Sequence, residues 1–167
     1  NPLEQSTTMG PLAQARFADF IREQKAEATR KGATAHVNMK VDLDKPGSPY
    51  MAPEIYTGAD HQMSLMREES FGPVVGIMKV RGDEDAIALM NDSPYGLTAS
   101  IWSQDIEHAA AIGDRVETGT VFMNRCDYLD PALAWVGVKD SGRGCTLSAI
   151  GYEHLTRPKS FHLRLKI

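Results

Sequence analysis

The chain has 167 residues, of which 42% are apolar and 24% are charged, and its formal net charge is −4. These proportions are typical of a globular domain and argue against disorder, and the length predicts one ordinary domain with a hydrophobic core. Because no basic patch is available to neutralise phosphates, we expect neither a nucleic-acid partner nor an anionic membrane partner.

Cysteine and histidine usage indicates the compartment. The chain has two cysteines, Cys126 and Cys145, and five histidines without the spacing of metal ligands. Reduced thiols fit this pattern better than a disulfide does. The sequence also contains no apolar run of membrane length and no signal-peptide pattern. We therefore expect a cytoplasmic protein that is not bound to a membrane and has no metal site.

The first third of the chain predicts a helix and two strands. Pro11 suits the first turn of a helix, and Gly32 is expected to end it. Alternating residues from Ala35 to Val41 predict a half-exposed strand. A turn-rich loop over residues 44–49 leads to a second short strand over residues 53–56. Five residues recur at helical spacing within the predicted helix, namely Phe17, Phe20, Ile21, Gln24 and Ala28.

The middle of the chain alternates strands with helices. The apolar run from Val74 to Val80 predicts a buried strand, and Asp83 is expected to cap the helix that follows. The next elements are a strand over residues 98–102, a helix over residues 106–112 and a strand over residues 121–123. This order, with short connections, is typical of a parallel sheet in the α/β class.

The last part of the chain is less regular. Residues 124–144 form a long stretch without a clear period, and loops of that length usually carry a function or an interface. Residues 161–167 alternate apolar and polar side chains. They predict a terminal strand that pairs with another subunit or segment.

One short segment suggests a binding site. Glu69 and Phe71 lie two residues apart, just before the predicted strand at Val74. A carboxylate accepts hydrogen bonds from both hydroxyls of a ribose, and a phenyl ring offers a flat apolar face to a heterocycle. This pattern favours nucleotide binding. A solvated acidic turn before a core strand gives a similar pattern and remains the alternative.

Six blocks resemble motifs of the aldehyde dehydrogenase superfamily, in the same order and over nearly the whole chain. The segment Glu68–Pro73 is similar to the cofactor-proximal E-E-x-F-G-P motif of that family. The other blocks are Ser6–Leu12, Asn91–Ser100, Gly119–Asn124, Gly137–Gly144, and Thr156 with Lys159 and Ser160.

The resemblance implies a fold and a division of the chain. It implies an α/β fold with an open, mostly parallel sheet and helices on both faces, present here in part. Residues 1–157 would be the C-terminal portion of the catalytic domain, and residues 158–167 a terminal oligomerisation strand. The partners implied are a small aldehyde, the N-terminal part of the same enzyme and further copies of the chain.

The resemblance also implies cofactor contacts, with NAD or NADP as the cofactor. Glu69 matches the family position that hydrogen-bonds the nicotinamide ribose, and Phe71 matches the position that packs beside the nicotinamide. The family's nucleophilic cysteine, general-base glutamate and oxyanion asparagine lie upstream of the block at Ser6. We therefore expect no catalytic residue in this chain, and no activity from it alone.

Four further residues match the substrate tunnel of the family. Trp135 matches an aromatic tunnel position, with a core position as the equal alternative because Val136 replaces a family glycine. Asn124 matches a position near the active-site floor, although an asparagine that satisfies backbone groups is an equally good interpretation. Cys126 and Tyr128 match the substrate entrance. Cys126 as a nucleophile is disfavoured because no base is close to it in sequence.

The acids near Tyr128 raise a question of substrate. Asp127 and Asp130 flank this ring, and an acidic, aromatic entrance would favour a cationic aldehyde. Entrance acids that are merely solvated are the alternative.

The leading hypothesis is a fragment of an NAD(P)-dependent aldehyde dehydrogenase that oxidises an aldehyde to a carboxylic acid through a cysteine thioester. Two alternatives stay open. One is a member of the superfamily that transfers the acyl group to coenzyme A. The other is a non-catalytic assembly subunit or pseudoenzyme.

Overall fold

A computed structural model describes residues 3–37, 42–126 and 128–166, with Val37 described for its backbone only. The chain divides into two compact units, Asn1–Val80 and Arg81–Ile167. Both combine helices with strands, in agreement with the α/β class predicted from the sequence. Among the described residues, no helix is both long enough and apolar enough to cross a bilayer.

The first unit is a three-stranded sheet covered by two helices. Its strands are β1 (Thr34–Val37), β2 (Glu54–Thr57) and β3 (Val74–Ile77), and its helices are α1 (Ala15–Arg30) and α2 (Ser64–Arg67). Strands β1 and β2 pair antiparallel, whereas β2 and β3 pair parallel. The predicted strand continued to Val41, but residues 38–41 lie outside the described part of the chain.

Helix α1 begins later than Pro11 predicts. Its first residue is Ala15, and Gln14 is the N-cap. The N–H of Leu12 donates instead to the carbonyl oxygen of Pro49 at 2.9 Å, so tertiary pairing draws the chain at Pro11 away from the helix. Four side chains of the buried face are Ala18, Ile21, Gln24 and Ala28, whereas Phe20 is exposed.

The two faces of the β1–β3 sheet differ. Tyr56 and Gly76 are register partners on the face that packs against the helices. Val75 and Ile77 are about half exposed. The prediction of a buried strand up to Val80 is therefore wrong, because β3 ends at Ile77 and the described helices of this unit cover only one of its faces.

The second unit contains a parallel strand pair with a helix between its strands. Strand β5 (Thr98–Ile101) pairs parallel with β6 (Thr120–Met123), and α4 (Ile106–Gly113) connects them. Asp105 caps α4, because its carboxylate accepts the N–H of His108 at 2.9 Å. Ile87, Ala99 and Val116 form the buried cluster. Strand β5, helix α4 and strand β6 confirm the sequence prediction for residues 98–123.

Helix α3 (Asp83–Asn91) precedes this pair, and its cap differs from the prediction. Gly82 is the N-cap residue, and no side chain accepts a cap hydrogen bond there. The Asp83 carboxylate lies instead 2.6 Å from Nε2 of His108. Asp83 is thus a first-turn residue that pairs with a neighbouring helix, and the prediction that it caps α3 is wrong.

Short elements fill the rest of the second unit. Two antiparallel pairs join β4 (Tyr95–Gly96) with β8 (Val138–Lys139), and β7 (Trp135–Val136) with β9 (Cys145–Thr146). Helix α5 (Ser148–His154) follows. The described residues 156–166 form no helix or strand, and Leu163 and Leu165 are almost fully exposed. The terminal oligomerisation strand over residues 158–167 stays a prediction, because it would pair with another chain.

Candidate functional site

The segment between α2 and β3 presents the two predicted cofactor contacts to solvent. Glu69 is exposed, and 67% of Phe71 is accessible. Ser70, between them, is half-buried, and its hydroxyl donates to Oε1 of Gln24 at 2.7 Å. A carboxylate and an aromatic ring therefore flank one inward-facing residue, and neither is enclosed by the core of this unit.

Close packing at Gly72 brings the segment down onto α1. The N–H of Gly72 donates to the carbonyl oxygen of Ser70 at 2.9 Å, which turns the chain toward β3. A Cβ at Gly72 would clash with the side chains of Ile21 and Leu12. A residue with a side chain here would displace Ile21, whereas glycine permits the close approach.

Helix α1 also fixes the start of α2. The Glu27 carboxylate accepts the N–H of Ser64 at 2.8 Å and its hydroxyl at 2.5 Å. Hydrogen bonds from Lys31 and Ser64 lower the pKa of Glu27 from 4.5 to about 2. The N-cap residue of α2, Met63, makes no side-chain cap hydrogen bond. A carboxylate from a different helix therefore satisfies the first N–H of α2.

A second polar network joins α1 to β2. Nζ of Lys25 lies 2.6 Å from Oε1 of Glu54, and the Tyr56 hydroxyl donates to the other oxygen of Glu54 at 2.7 Å. Burial, followed by the hydrogen bond with Glu54, raises the pKa of Tyr56 to about 12. Because all three groups are largely buried, the network holds the sheet in register beneath the helix.

An open cavity of about 500 Å³ lies where the Glu69–Phe71 segment enters β3. The sequence did not predict it, because it depends on the pairing of three strands that are distant in sequence. Its lining is mostly apolar and includes Gly72, the residue that follows Phe71. Its lining residues are His36, Pro53, Glu54, Ile55, Gly72, Pro73, Val74 and Val75.

The predicted tunnel residues lie in the second unit, three of them after β6. Asn124, with φ 55°, ends this strand. Its Oδ1 accepts the N–H of Ser103 at 3.0 Å, and its Nδ2 donates to the carbonyl oxygen of Ser103 at 2.8 Å. Both ends of the amide are thus engaged with backbone, which was the alternative left open by the sequence. The loops after β5 and β6 are joined at one edge of the parallel pair.

The loop beyond Asn124 is open to solvent. Cys126 is an exposed free thiol, and Tyr128 is half exposed with the Arg125 guanidinium 4.0 Å from its ring centroid. Asp127, which the charged-entrance hypothesis requires, lies outside the described residues. The charged group that faces the Tyr128 ring is the Arg125 guanidinium. The sequence had predicted acids on both sides of this ring.

Trp135, the fourth predicted tunnel residue, does not belong to this loop. It lies on strand β7, where it is half-buried and is the register partner of Thr146. Trp102, which the sequence did not single out, follows β5 and is 70% exposed. The sequence could have suggested Trp102 as a site residue by its position at the carboxyl end of a parallel strand, because ligands bind at that edge of such sheets. Within the described residues, no group of three or more histidine, cysteine or acidic side chains is arranged to hold a metal ion.

A comparison with models of protein families identifies the family of this chain. The aldehyde dehydrogenase family model matches residues 1–161, a range that contains all six predicted site residues. The chain belongs to the aldehyde dehydrogenase family.

Individual aldehyde dehydrogenases are similar over nearly the whole chain. An aldehyde dehydrogenase of Paenarthrobacter nicotinovorans is 37% identical over 160 residues, which cover 96% of this chain and 34% of the relative. An NADP⁺-type succinate-semialdehyde dehydrogenase of Deinococcus radiodurans is 34% identical, with 95% and 33% covered. The chain thus spans about a third of the length of these relatives.

Solved aldehyde dehydrogenase structures agree in fold. The enzyme of Mycobacterium tuberculosis, solved with NAD⁺, superposes with a TM-score of 0.86 at 31% identity, covering 98% of this chain and 34% of that one. Succinic semialdehyde dehydrogenase of Streptococcus pyogenes, solved with NADP⁺, gives 0.79 at 34% identity, covering 90% and 33%.

Proposed function

We propose that this chain is the C-terminal portion of the catalytic domain of an NAD(P)-dependent aldehyde dehydrogenase. The observation that carries the proposal is the shared outward exposure of Glu69 and Phe71 on either side of an inward-facing Ser70. Family membership supports it, and so do relatives that are named for NADP⁺ or were solved with NAD⁺.

The residues present fit a nicotinamide nucleotide. An exposed carboxylate is an acceptor-only group, so Glu69 suits two ribose hydroxyls that both donate. The exposed ring of Phe71 suits a flat heterocycle, and the lining of the recess formed by β1–β3 begins at the next residue, Gly72. When bound, the nicotinamide would supply the acceptor for the hydride that leaves the substrate. The role of Glu69 and Phe71 would be to bind and orient that group.

The reaction proposed is the oxidation of an aldehyde to a carboxylic acid through a cysteine thioester. The nucleophilic thiol and the base that activates water would come from polypeptide outside this chain. Asn124, Cys126, Tyr128 and Trp135 would contribute to the substrate tunnel. Of these four, Asn124 would act through the backbone of Ser103.

A cofactor-affinity experiment on the complete enzyme tests the proposal. Glu69→Gln removes the negative charge but keeps the size of the side chain, so we expect the Kd for NAD(P)⁺ to rise about 10- to 100-fold. Glu68→Gln is the matched control, because Glu68 is the adjacent exposed acid. Equal affinities for the two variants would contradict the role of Glu69.

A non-catalytic assembly role is the second candidate. The observation that favours it is the alternating segment 158–166, in which Leu163 and Leu165 are almost fully exposed with respect to the described residues. Strand addition between copies would bury these side chains. If the complete protein assembles through this segment but oxidises no aldehyde, the assembly role replaces the enzymatic one.

A further inference from the structure

Gln24 is a buried polar side chain on the apolar face of α1. It is 2% exposed, and it lies on the same helix face as Ile21 and Ala28. Burying an amide without hydrogen bonds is unfavourable, so the partners of Gln24 decide what it does in this unit.

One of those partners precedes the Glu69–Phe71 segment, and the other is the middle residue of that segment. Nε2 of Gln24 donates to the carbonyl oxygen of Ser64 at 3.3 Å, and Oε1 accepts the hydroxyl of Ser70 at 2.7 Å. One amide thus holds the first residue of α2 and the residue between Glu69 and Phe71.

The segment that Gln24 holds has little regular structure of its own. Residues 68–73 lie in neither a helix nor a strand, so no ladder of backbone hydrogen bonds determines which side chains face outward. Within this segment the half-buried Ser70 lies between two exposed residues, Glu69 and Phe71. The hydrogen bond from the Ser70 hydroxyl to Gln24 ties the middle residue of this arrangement to α1.

We propose that Gln24 is a positioning residue for cofactor binding, which acts through Ser70 on the orientation of Glu69 and Phe71. The inference rests on the proposed function, because it assigns Gln24 to the same nicotinamide nucleotide site. It adds a residue of α1, more than forty positions upstream, that touches neither substrate nor cofactor.

A double-mutant cycle in the complete enzyme tests it. Gln24→Met keeps a long side chain of similar volume and removes both hydrogen bonds, and we expect the Kd for NAD(P)H to rise about tenfold. In the Gln24→Met background, Glu69→Gln should change the Kd less than about twofold. The reason is that a misdirected Glu69 carboxylate already contributes little to cofactor affinity. Gln14→Met is the matched control, an exposed glutamine beside α1 without a side-chain cap hydrogen bond.

Two further measurements keep the test decisive if Gln24→Met folds poorly. Ser70→Ala should weaken cofactor binding as Gln24→Met does, and Ser70→Thr should restore it because the hydroxyl returns. Hydrogen exchange at the Gly72 amide should accelerate in Gln24→Met and Ser70→Ala, since its acceptor is the carbonyl oxygen of Ser70.

The possible results separate the two proposals. If Glu69→Gln has no effect on the Kd in the wild-type background, the cofactor role fails and this inference fails with it. If Glu69→Gln weakens binding equally in both backgrounds, or if Ser70→Ala leaves both the Kd and the Gly72 exchange rate unchanged, only the positioning role of Gln24 is overturned.

Discussion

The Glu27 carboxylate accepts the backbone N–H of Ser64 at 2.8 Å, so a side chain of one helix caps another helix 37 residues further along the chain. Nε2 of Gln24, one turn earlier on α1, donates to the carbonyl oxygen of the same residue, Ser64. The position of α2, and of the segment that follows it, is thus determined by two polar side chains of α1.

This relationship predicts acid sensitivity. The pKa of Glu27 in the folded chain is lowered from 4.5 to about 2 by its hydrogen bonds with Lys31 and Ser64. A lowered pKa means that the stabilisation is present above pH 4.5 and is lost as the pH falls toward 2. We expect Glu27→Gln to lower the melting temperature at pH 7 and to have progressively less effect as the pH falls through this window.

Thermal unfolding at a series of pH values measures this effect. Glu23→Gln is the control, an exposed acid on the same helix. A Glu27→Gln effect that is the same at pH 7 and in strong acid would contradict the capping role.

Tyr56 predicts a second, alkaline transition. Burial and the hydrogen bond with Glu54 raise the pKa of Tyr56 from 10.0 to about 12. A raised pKa stabilises the fold fully below pH 10, and that contribution is lost as the pH rises through about 12. Ultraviolet absorbance should detect one phenol that ionises near pH 12 and is missing in Tyr56→Phe.

The same variant tests the Lys25–Glu54–Tyr56 network. Tyr56→Phe removes one hydrogen bond to a buried carboxylate, so we expect the free energy of unfolding to fall by about 1.5–3 kcal/mol. Denaturant unfolding measures it. Tyr50→Phe is a suitable control on the same unit, and equal losses in both variants would argue against the network.

Asn124 predicts a separable pair of effects. Asn124→Ala loses two hydrogen bonds and retains a Cβ at φ 55°, so we expect a loss of about 2–3 kcal/mol. Asn124→Gly loses the same hydrogen bonds without the backbone strain, and we expect about 1–2 kcal/mol. Denaturant unfolding of both variants distinguishes the terms. If glycine destabilises as much as alanine does, the left-handed backbone contributes nothing.

The isolated chain should associate with itself and bind cofactor weakly. Val75, Ile77 and Ile55 expose apolar surface on one sheet face, and Leu163 and Leu165 do so near the C-terminal end. Surfaces of this kind favour association. We expect light scattering to give a mass above that of the monomer, and calorimetry to give a Kd for NAD⁺ weaker than micromolar. A monodisperse monomer that binds NAD⁺ tightly would contradict both expectations.

Element type was predictable from local patterns, whereas element boundaries were less so. The strand–helix–strand order of residues 98–123 follows from periodicity, and the structure confirms it. The start of α1 could not be read in this way, because a backbone hydrogen bond from Leu12 to Pro49 competes with the helical signal of Pro11. Burial of β3 depends on what covers each face, and periodicity does not report that.

The residues of the candidate site were likewise predictable only in part from the sequence. Glu69 and Phe71 were identified from their chemistry and spacing, and both are exposed in the structure, as a cofactor contact requires. Their cofactor role stays a prediction. The residues that hold their segment, Gln24 and Ser70, gave no signal as a pair, since 46 positions separate them.

The sequence alone determined the family, the strand–helix–strand order of residues 98–123, and the chemistry of the residues offered to a ligand. These features depend on the order and spacing of side chains within short stretches. Only the tertiary structure decided which way those side chains face, because that depends on hydrogen bonds between α1 and residues some forty positions away. Contacts between residues so far apart in sequence form only once the chain has folded, so a local sequence pattern does not predict them.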